Sequence, residues 1–481
     1  MTSSPSAHPA ERRRRTRRRA LRIVSSAVAL TALGVVGWTV WGHRAERAVT
    51  AQAAASAPAA APQTTAATPP PCTTPKVGPG DAVLERLIAQ WTRVHPDTGV
   101  AVWQSGRSCP LSIVAHKATV GFLPASNNKL MTSAGALLAL GPAFRYTTRL
   151  VTSGTTTITH HTVHGAVTLV GSGDPLFSTL AYARVYLGSK ADTLDALAAR
   201  LKKADGTRPA ITKITDGVRA NASVFDARTL PPYWNRGDIG SIEPLSGMAT
   251  DEDFAGPAQA ATLSAPVLGA SQRLRTALRQ QKISVTGPIG AARVPAAPIT
   301  LAEVTSPRLS TILRIMNVPS DDFIAEQLVK TIGAQAHTPG TSATGVDRIV
   351  AKLRALGVLQ PADRIVDGSG LARTDRLTPD TLVRLLLDAQ RGPSWGDPLI
   401  ASLPAPGQGT LKGRLSGLTG RVRAKTGTLD DVSSLSGVVH AVDGKTYDFS
   451  ILNNRLSLDD IASARAFQDA IVRRLAHGVA S

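Results

Sequence analysis

The stretch PASNNKLMTSAGALLALGP, residues 124–142, decides how this chain is read. Leu130 to Leu140 is apolar on nearly all sides and closed by Gly141-Pro142, the pattern of a helix buried at the centre of a fold. Ser126 to Lys129 then occupies the first turn of that helix. Residues i and i+3 share a helix face, so the Ser126 hydroxyl and the Lys129 amine can touch. A serine hydroxyl near pH 7 is a poor nucleophile without a base in hydrogen-bond reach. Lysine serves as that base only when its pKa falls, which burial and a second nearby ammonium both achieve. The plain alternative is a serine capping a core helix beside a solvated lysine, since Ser-x-x-Lys alone is a loose pattern.

Two later strings extend the first. PSDD at 319–322 precedes a helical pattern at Phe323 to Ile332, and alone it reads as an Asx or serine cap. AKTG at 424–427 lies in Val422 to Thr428, the first of three expected strands, and Lys425 supplies the second ammonium. The other two, Ser434 to Val442 and Thr446 to Asn453, join through a turn at Asp443-Gly444. Ser457 is expected to cap a final helix running to about Ala476. Near the start of the folded part, Asp81 to Val94 reads as a helix capped by Asp81, followed by paired strands at Gly99 to Trp103 and Leu111 to Ala115. An antiparallel sheet flanked by first and last helices, with a central helix, is an α+β arrangement.

The middle has a different texture. Strand-like stretches such as Thr162 to Val170 mix with a helix at Thr193 to Lys202 and with Gly and Pro punctuation, and a helical pattern returns at Leu309 to Met316. Residues 146–300 therefore read as an inserted mixed α/β region between two parts, 81–145 and 301–481, of one catalytic domain.

The 481-residue chain carries a formal charge of +20, but ten basic and only two acidic residues fall in positions 1–50. The remainder holds 44 basic and 32 acidic residues, an excess that a solvated face or an anionic cell envelope explains as well as nucleic acid does. No RNP-like, zinc-finger or helix-turn-helix signature points to nucleic acid. Arg12 to Arg15 and Arg17 to Arg19 form a basic tail, residues 1–22, before Ile23 to Gly42, about twenty residues without a formal charge and long enough to cross a bilayer as a helix. Arginines on that side hold the tail in the cytoplasm, which puts everything after His43 outside. A cleaved signal peptide is the competing reading, and it makes the protein secreted. Residues 43–80, rich in Ala, Pro and Thr, form a linker. Cys72 and Cys109 are the only cysteines, an even count in an oxidising compartment that suggests one disulfide, with two unpaired thiols as the alternative.

The three strings occur in order, each on its own kind of element, and here the chain resembles the active-site serine penicillin-binding proteins and serine β-lactamases. Within that group it resembles the D-alanyl-D-alanine carboxypeptidase/endopeptidase family of low-molecular-mass class C. Further strings carry the resemblance over about residues 80–475: VGSGDPLF at 170–177, IEPLSGMATDEDF at 242–254, MNVPSDDFIAEQL at 316–328, DGSGLARTDRLTP at 367–379 and GRVRAKTGTLDDVSSLSG at 420–437. The resemblance implies a transpeptidase-like domain in which Ser126 is the acylated nucleophile and Lys129 its base. Ser320 would relay a proton to the leaving amine, with Lys425 supporting it. Thr426 would bind the terminal carboxylate of D-alanine, the N–H groups of Ser126 and Thr428 would form the oxyanion hole, and Asp322, Lys425, Thr426, Gly427 and Thr428 are the implied substrate-binding residues. The implied substrate is a peptidoglycan stem peptide, β-lactams are the implied covalent inhibitors, and no metal or organic cofactor is implied.

One residue departs from the family pattern. Its second motif is usually Ser-x-Asn, and here Asp322 stands at the third place. An aspartate accepts only, whereas an asparagine amide also donates to a substrate carbonyl. A carboxylate there is expected to pair with Lys129 or Lys425 and favour their charged forms. Two alternatives stay open: a β-lactamase, which would share the acylation residues, and, because of Asp322, a catalytically weak peptidoglycan-binding protein. His160, His161 and His164 sit in a strand-like run without acidic or cysteine partners and read as exposed strand residues rather than metal ligands. Asp174 and Asp367 read as turn-stabilising residues in glycine turns. No G-x-S-x-G elbow surrounds Ser126.

Overall fold

The computed structural model describes residues 75–481, apart from residues 79 and 207 and the segments 106–108, 189–191, 235–241, 255–264, 336–338 and 480–481. The basic tail, the apolar run Ile23 to Gly42, residues 43–74 of the linker and Cys72 lie outside the described residues.

Strands β1 (Lys76–Val77), β2 (Thr98–Ser105) and β3 (Leu111–His116) come from the start of the described chain. The middle supplies β4 (Thr147–Thr152), β5 (Thr157–Thr159), β6 (Thr162–His164), β7 (Val167–Val170), β8 (Lys213–Ile214), β9 (Val218–Asn221), β10 (Ser284–Val285), β11 (Ile289–Ala291) and β12 (Ile299–Thr305). The C-terminal part adds β13 (Val422–Leu429), β14 (Val432–His440) and β15 (Thr446–Asn453). The first and last groups share one six-stranded sheet in the order β1-β3-β2-β15-β14-β13. Its seam is the antiparallel β2–β15 pair, which sets Thr98 opposite Asn453 and Ser105 opposite Thr446, so the site-bearing strand β13 depends on residues more than 300 positions earlier.

The helix Ala82–Thr92 starts where Asp81 accepts from the N–H groups of Val83 and Leu84, and Arg474 of the last helix pairs with the same carboxylate at 2.5 Å. Those two helices cover one face of the sheet, where Leu84, Ile88, Phe467, Ile471 and Leu475 pack on Val422, Ala424, Phe449 and Ile451. The central helix Asn128–Leu140 lies in a second cluster, with Leu130, Met131, Ala134 and Leu137 against Ile324, Leu328, Ile349 and Leu353. Asn128 to Leu137 are all buried, and the helix ends at Gly141 with φ 80°. That uniform burial is why its sequence shows no polar face.

The middle builds two further sheets, β10-β8-β6-β5 and β11-β9-β7-β4-β12. Leu194, Leu197 and Leu201 of one helix and Leu274 and Leu278 of another fill a separate cluster against Leu150, Val163, Leu169 and Leu301. Three local expectations change. Thr162 to Val170 is two strands in different sheets, broken at Gly165-Ala166. Ser126 lies in a 3-10 turn, Ala125–Asn127, that leads into the central helix. The last helix begins at Asp460; Ser457 instead closes a preceding turn, its Oγ donating to Asp460 Oδ2 at 2.6 Å and accepting from Asp460 N.

Candidate active site

The central helix delivers Lys129 wholly buried, and its Nζ donates to three oxygens: Ser126 Oγ at 3.1 Å, Asp322 Oδ1 at 2.5 Å and the Ser369 carbonyl at 2.8 Å. Three acceptors match the three donors of an ammonium, so the charge is fully coordinated although it lies out of water. Asp322 reaches Lys129 from the first turn of the helix Asp322–Ala334, which is capped by Asp321 accepting from Ile324 N at 2.8 Å. The carboxylate that replaces the family's usual amide is therefore bonded to the lysine beside the serine.

The second lysine approaches from the sheet. Lys425 is fully buried, and its Nζ donates to Ser320 Oγ at 2.8 Å and to its neighbour's carbonyl, Thr426 O, at 2.9 Å. Burial holds its pKa well below the ordinary lysine value, the Lys129 charge lowers it further, and Asp322 opposes. Ser320 and Ala125 both adopt left-handed backbone, φ 69° and 47°, without being glycine. Strain of that kind persists only where surrounding contacts over-determine it, and here it flanks both serines.

β13 is the free edge of the sheet and passes close to the serine turn. A Cβ on Gly427 would come within 2.9 Å of Ser126 N and 2.7 Å of the Pro124 carbonyl, so only glycine lets strand and turn approach this closely. Ser434 of β14 fastens the same turn, donating to Pro124 O at 2.7 Å. Thr426 Oγ1 donates to Thr410 Oγ1 at 2.7 Å. Gly427→Val should push β13 away from the serine turn and reduce acylation by benzylpenicillin at least about a hundredfold, the scale of a misplacement near 1 Å. Stopped-flow acylation rates measure this, and a rate within threefold of wild type would contradict the packing argument.

The string DGSGLARTDRLTP, residues 367–379, contributes to the site in a way that its sequence alone does not reveal. Its Ser369 carbonyl is the third acceptor of Lys129, and the loop is held from two sides. Glu326 Oε1 accepts from Gly368 N at 2.9 Å and Ser369 N at 2.7 Å, while Asp367 accepts from Gly370 N, Ala372 N and Trp234 Nε1. Asp367 is thus a turn-stabilising residue as expected, and the turn carries the third acceptor of Lys129. The signal that the string offered was its glycines: Gly370 has φ 86°, and a Cβ there would stand 3.0 Å from Asn128 Cβ.

Burial, and then the Asp367 charge, push the Glu326 carboxyl up to about 8. It stays protonated in the folded protein at pH values where the unfolded chain, with the ordinary glutamate pKa of 4.5, has released the proton. The folded state then binds more protons than the unfolded one, so this group's contribution to stability falls as pH rises from about 4.5 to about 8. Glu326→Gln keeps an acceptor for the two N–H groups and cannot ionise. Its Tm should decline less than that of wild type between pH 5 and pH 8 in calorimetry; parallel declines would show that Glu326 does not titrate in this range.

Further carboxyls lie within electrostatic reach of Asp321. Burial raises Glu243 to about 8 and Asp321 to about 6, and Glu252 stands well above the ordinary value through burial and the Asp321 charge. The remaining candidates lie elsewhere. His160 and His161 make the β5–β6 turn with φ 47° and 65°, and His164 shares a hydrogen bond with Thr159 Oγ1. Asp174 accepts from Leu176 N at 2.9 Å, and burial lifts its pKa to about 7. Cys109 is disulfide-bonded.

A Ser–Lys pair at the head of a buried helix, facing a second Ser–Lys contact between a loop and an edge strand, on an α+β sheet flanked by helices, is the arrangement of the penicillin-binding class. Comparison narrows it. The D-Ala-D-Ala carboxypeptidase 3 (S13) family matches residues 82–255 and 249–477. Carboxypeptidase Rv3627c of Mycobacterium tuberculosis is 30% identical over 395 residues, 79% of this chain and 78% of that protein. Carboxypeptidase DacB of Mycolicibacterium smegmatis is 30% identical over 387 residues, 76% of this chain and 78% of its own length. In fold, the chain is similar to penicillin binding protein 4 of Haemophilus influenzae, with a TM-score of 0.66 and 21% identity over 81% of this chain and 99% of that one. The chain belongs to the D-Ala-D-Ala carboxypeptidase 3 (S13) family. It is a serine-type D-Ala-D-Ala carboxypeptidase/endopeptidase, a hydrolase of peptide bonds.

Proposed function

We propose that this chain is a membrane-anchored, extracytoplasmic DD-peptidase that trims D-Ala-terminated, or cleaves D-amino-acid-crosslinked, peptidoglycan stem peptides through an acyl-enzyme on Ser126. The observation that carries the residue assignment is the Lys129 Nζ contact with Ser126 Oγ at 3.1 Å, beside the second contact in which Lys425 Nζ donates to Ser320 Oγ at 2.8 Å.

In this reading Lys129, once deprotonated, takes the Ser126 proton as Oγ attacks the D-alanyl carbonyl carbon. The oxyanion forms between the N–H groups of Ser126 and Thr428, which the close passage of Gly427 brings together. Collapse breaks the C–N bond, and the leaving amine takes a proton from Ser320, which Lys425 replenishes. Thr426 meets the terminal carboxylate. Water then attacks the ester carbonyl, its proton passing through Ser320 to Lys425, while Lys129 returns its proton to Ser126 Oγ as the ester C–O bond breaks and the peptide acid leaves. A β-lactam acylates the same oxygen and stays, because its leaving group remains tethered.

The anchor is the apolar run Ile23 to Gly42, with arginines on its cytoplasmic side and residues 43–80 as tether. Cys72, the chain's other cysteine, is the proposed partner of disulfide-bonded Cys109, fastening the tether to the β2–β3 hairpin. Residues 81–145 and 301–481 form the catalytic domain and 146–300 an inserted accessory region, a division that the separate apolar cluster of the middle supports. A second reading, a catalytically weak wall-binding protein, rests on the Lys129–Asp322 contact. Incubation with a fluorescent penicillin separates the two: a stable covalent adduct supports the peptidase, and a folded protein that takes no adduct supports the binding protein.

A further inference from the structure

The loop at 367–369 meets the central helix through its carbonyls. Asn128 Nδ2 donates to Asp367 O at 2.9 Å, Thr132 Oγ1 to Gly368 O at 2.7 Å and Lys129 Nζ to Ser369 O at 2.8 Å. Three successive carbonyls thus take three side chains from the first two turns of one helix, and one of the three is the candidate base. The N–H groups of the same loop turn to the other side, where the helix Asp322–Ala334 presents Glu326. Its Oε1 accepts from Gly368 N at 2.9 Å and from Ser369 N at 2.7 Å. Glu326 therefore holds the two peptides that precede the carbonyl on Lys129, and Asp367 Oδ1 holds the next one through Gly370 N at 2.7 Å.

Glu326 is wholly buried, and its second oxygen, Oε2, has no hydrogen-bond partner among the described residues. Ionisation would leave charge on an unpaired oxygen away from water, which is costly. Asp367 and Asp375 of the loop add like charge rather than relief, and Asp367 opposes ionisation directly. The cations within reach are already engaged. Lys330, one turn along the same helix, is held by Asp226 at 2.6 Å, and Lys129 is held by Asp322, one turn back, at 2.5 Å. Lys129 stands across the loop from Glu326, so a negative charge there would favour its ammonium and withdraw the free amine that acylation needs.

We propose that Glu326 is a positioning residue of the acylation step: as a neutral acid it sets the loop whose carbonyl aims Lys129 at Ser126, and its ionisation disarms that base. This rests on the DD-peptidase reading above and adds to it an upper pH limit. Burial and the Asp367 charge place the titration of Glu326 at about 8, so the limit falls just above neutrality. Glu326 touches neither substrate nor Ser126, and it acts only through the 368–369 backbone and through charge.

The test measures saturating acylation rates and dissociation constants of the full chain with benzylpenicillin from about pH 6 to about pH 10, for wild type, Glu326→Ala and Glu326→Gln. Glu326→Ala leaves two N–H groups without an acceptor and loosens the Ser369 carbonyl. It should lower the saturating rate at least about thirtyfold, with the dissociation constant within about threefold, because a small misplacement of a reacting group costs on the order of a hundredfold. Glu326→Gln keeps the acceptor and should recover most of that loss. Its amide cannot ionise, so its rate should hold above about pH 8 where wild type falls, the two differing about tenfold near pH 9.5, the effect of one pKa unit. Superimposed profiles of wild type and Glu326→Gln overturn the neutral-acid role. A Glu326→Ala rate within about threefold of wild type, or a loss that lies in the dissociation constant, overturns the positioning role. Should Glu326→Ala fail to fold, the Glu326→Gln profile decides alone. No adduct on wild type at any pH overturns the DD-peptidase reading and this inference with it.

Discussion

Ser126→Ala removes the penicillin adduct completely and lowers peptide turnover by roughly 10⁴- to 10⁶-fold, the loss seen when an enzyme's nucleophile is deleted. The same variant stays folded. Ser126 contributes one hydrogen bond to Lys129, and the lysine keeps Asp322 and the Ser369 carbonyl, so the buried charge is not orphaned. Loss of one such bond costs about 1 kcal/mol. Thermal unfolding and penicillin labelling, run on the same preparations, check both halves. Turnover within tenfold of wild type would remove Ser126 from the chemistry, and a collapsed Tm would mean that the serine turn is held by the hydroxyl and not by Ser434 and Gly427.

Asp322→Asn should raise the acylation rate at pH 7 about tenfold, equivalent to one pKa unit or about 1.4 kcal/mol. Two effects act in the same direction. The amide gains a donor for the substrate's carbonyl, and the site loses a negative charge beside its two lysines. That charge raises the Lys425 pKa against burial and the Lys129 charge. Its removal lets Lys425 fall further, so a limb of the pH–rate profile that follows Lys425 moves to lower pH. The variant weakens the Lys129 contact from an ion pair to a hydrogen bond with a neutral amide, which should cost about 1–3 kcal/mol of stability. Acylation that is unchanged or slower in the variant would show that the carboxylate takes a positive part in wild-type chemistry.

The family of the enzyme was legible because its motifs are three short strings, each on an element whose local pattern is clear. The central helix announced itself by an unbroken apolar run, and Lys425 by a strand with two more behind it. Glu326 and Ser369 were not legible in this way. Glu326 sits on a helix that is buried all round, where a glutamate looks misplaced until its two N–H donors from residues 368 and 369 are seen. Ser369 acts through its carbonyl, and a backbone acceptor leaves no residue-type signature.

The amino-acid sequence alone thus determined the helix that carries Ser126 and Lys129, the strand that carries Lys425 to Thr428 and the departure at Asp322. Periodicity, caps and glycine positions are local properties, set by neighbours within a few residues. Which lysine Asp322 would bond was decided only by the tertiary structure, because Lys129 and Lys425 are 193 and 103 positions away from it and both were open partners in the sequence. The sheet seam between β2 and β15 and the buried meeting of the central helix with the Asp322–Ala334 helix settle the choice by geometry: they set Asp322 on Lys129 and leave Lys425 to Ser320.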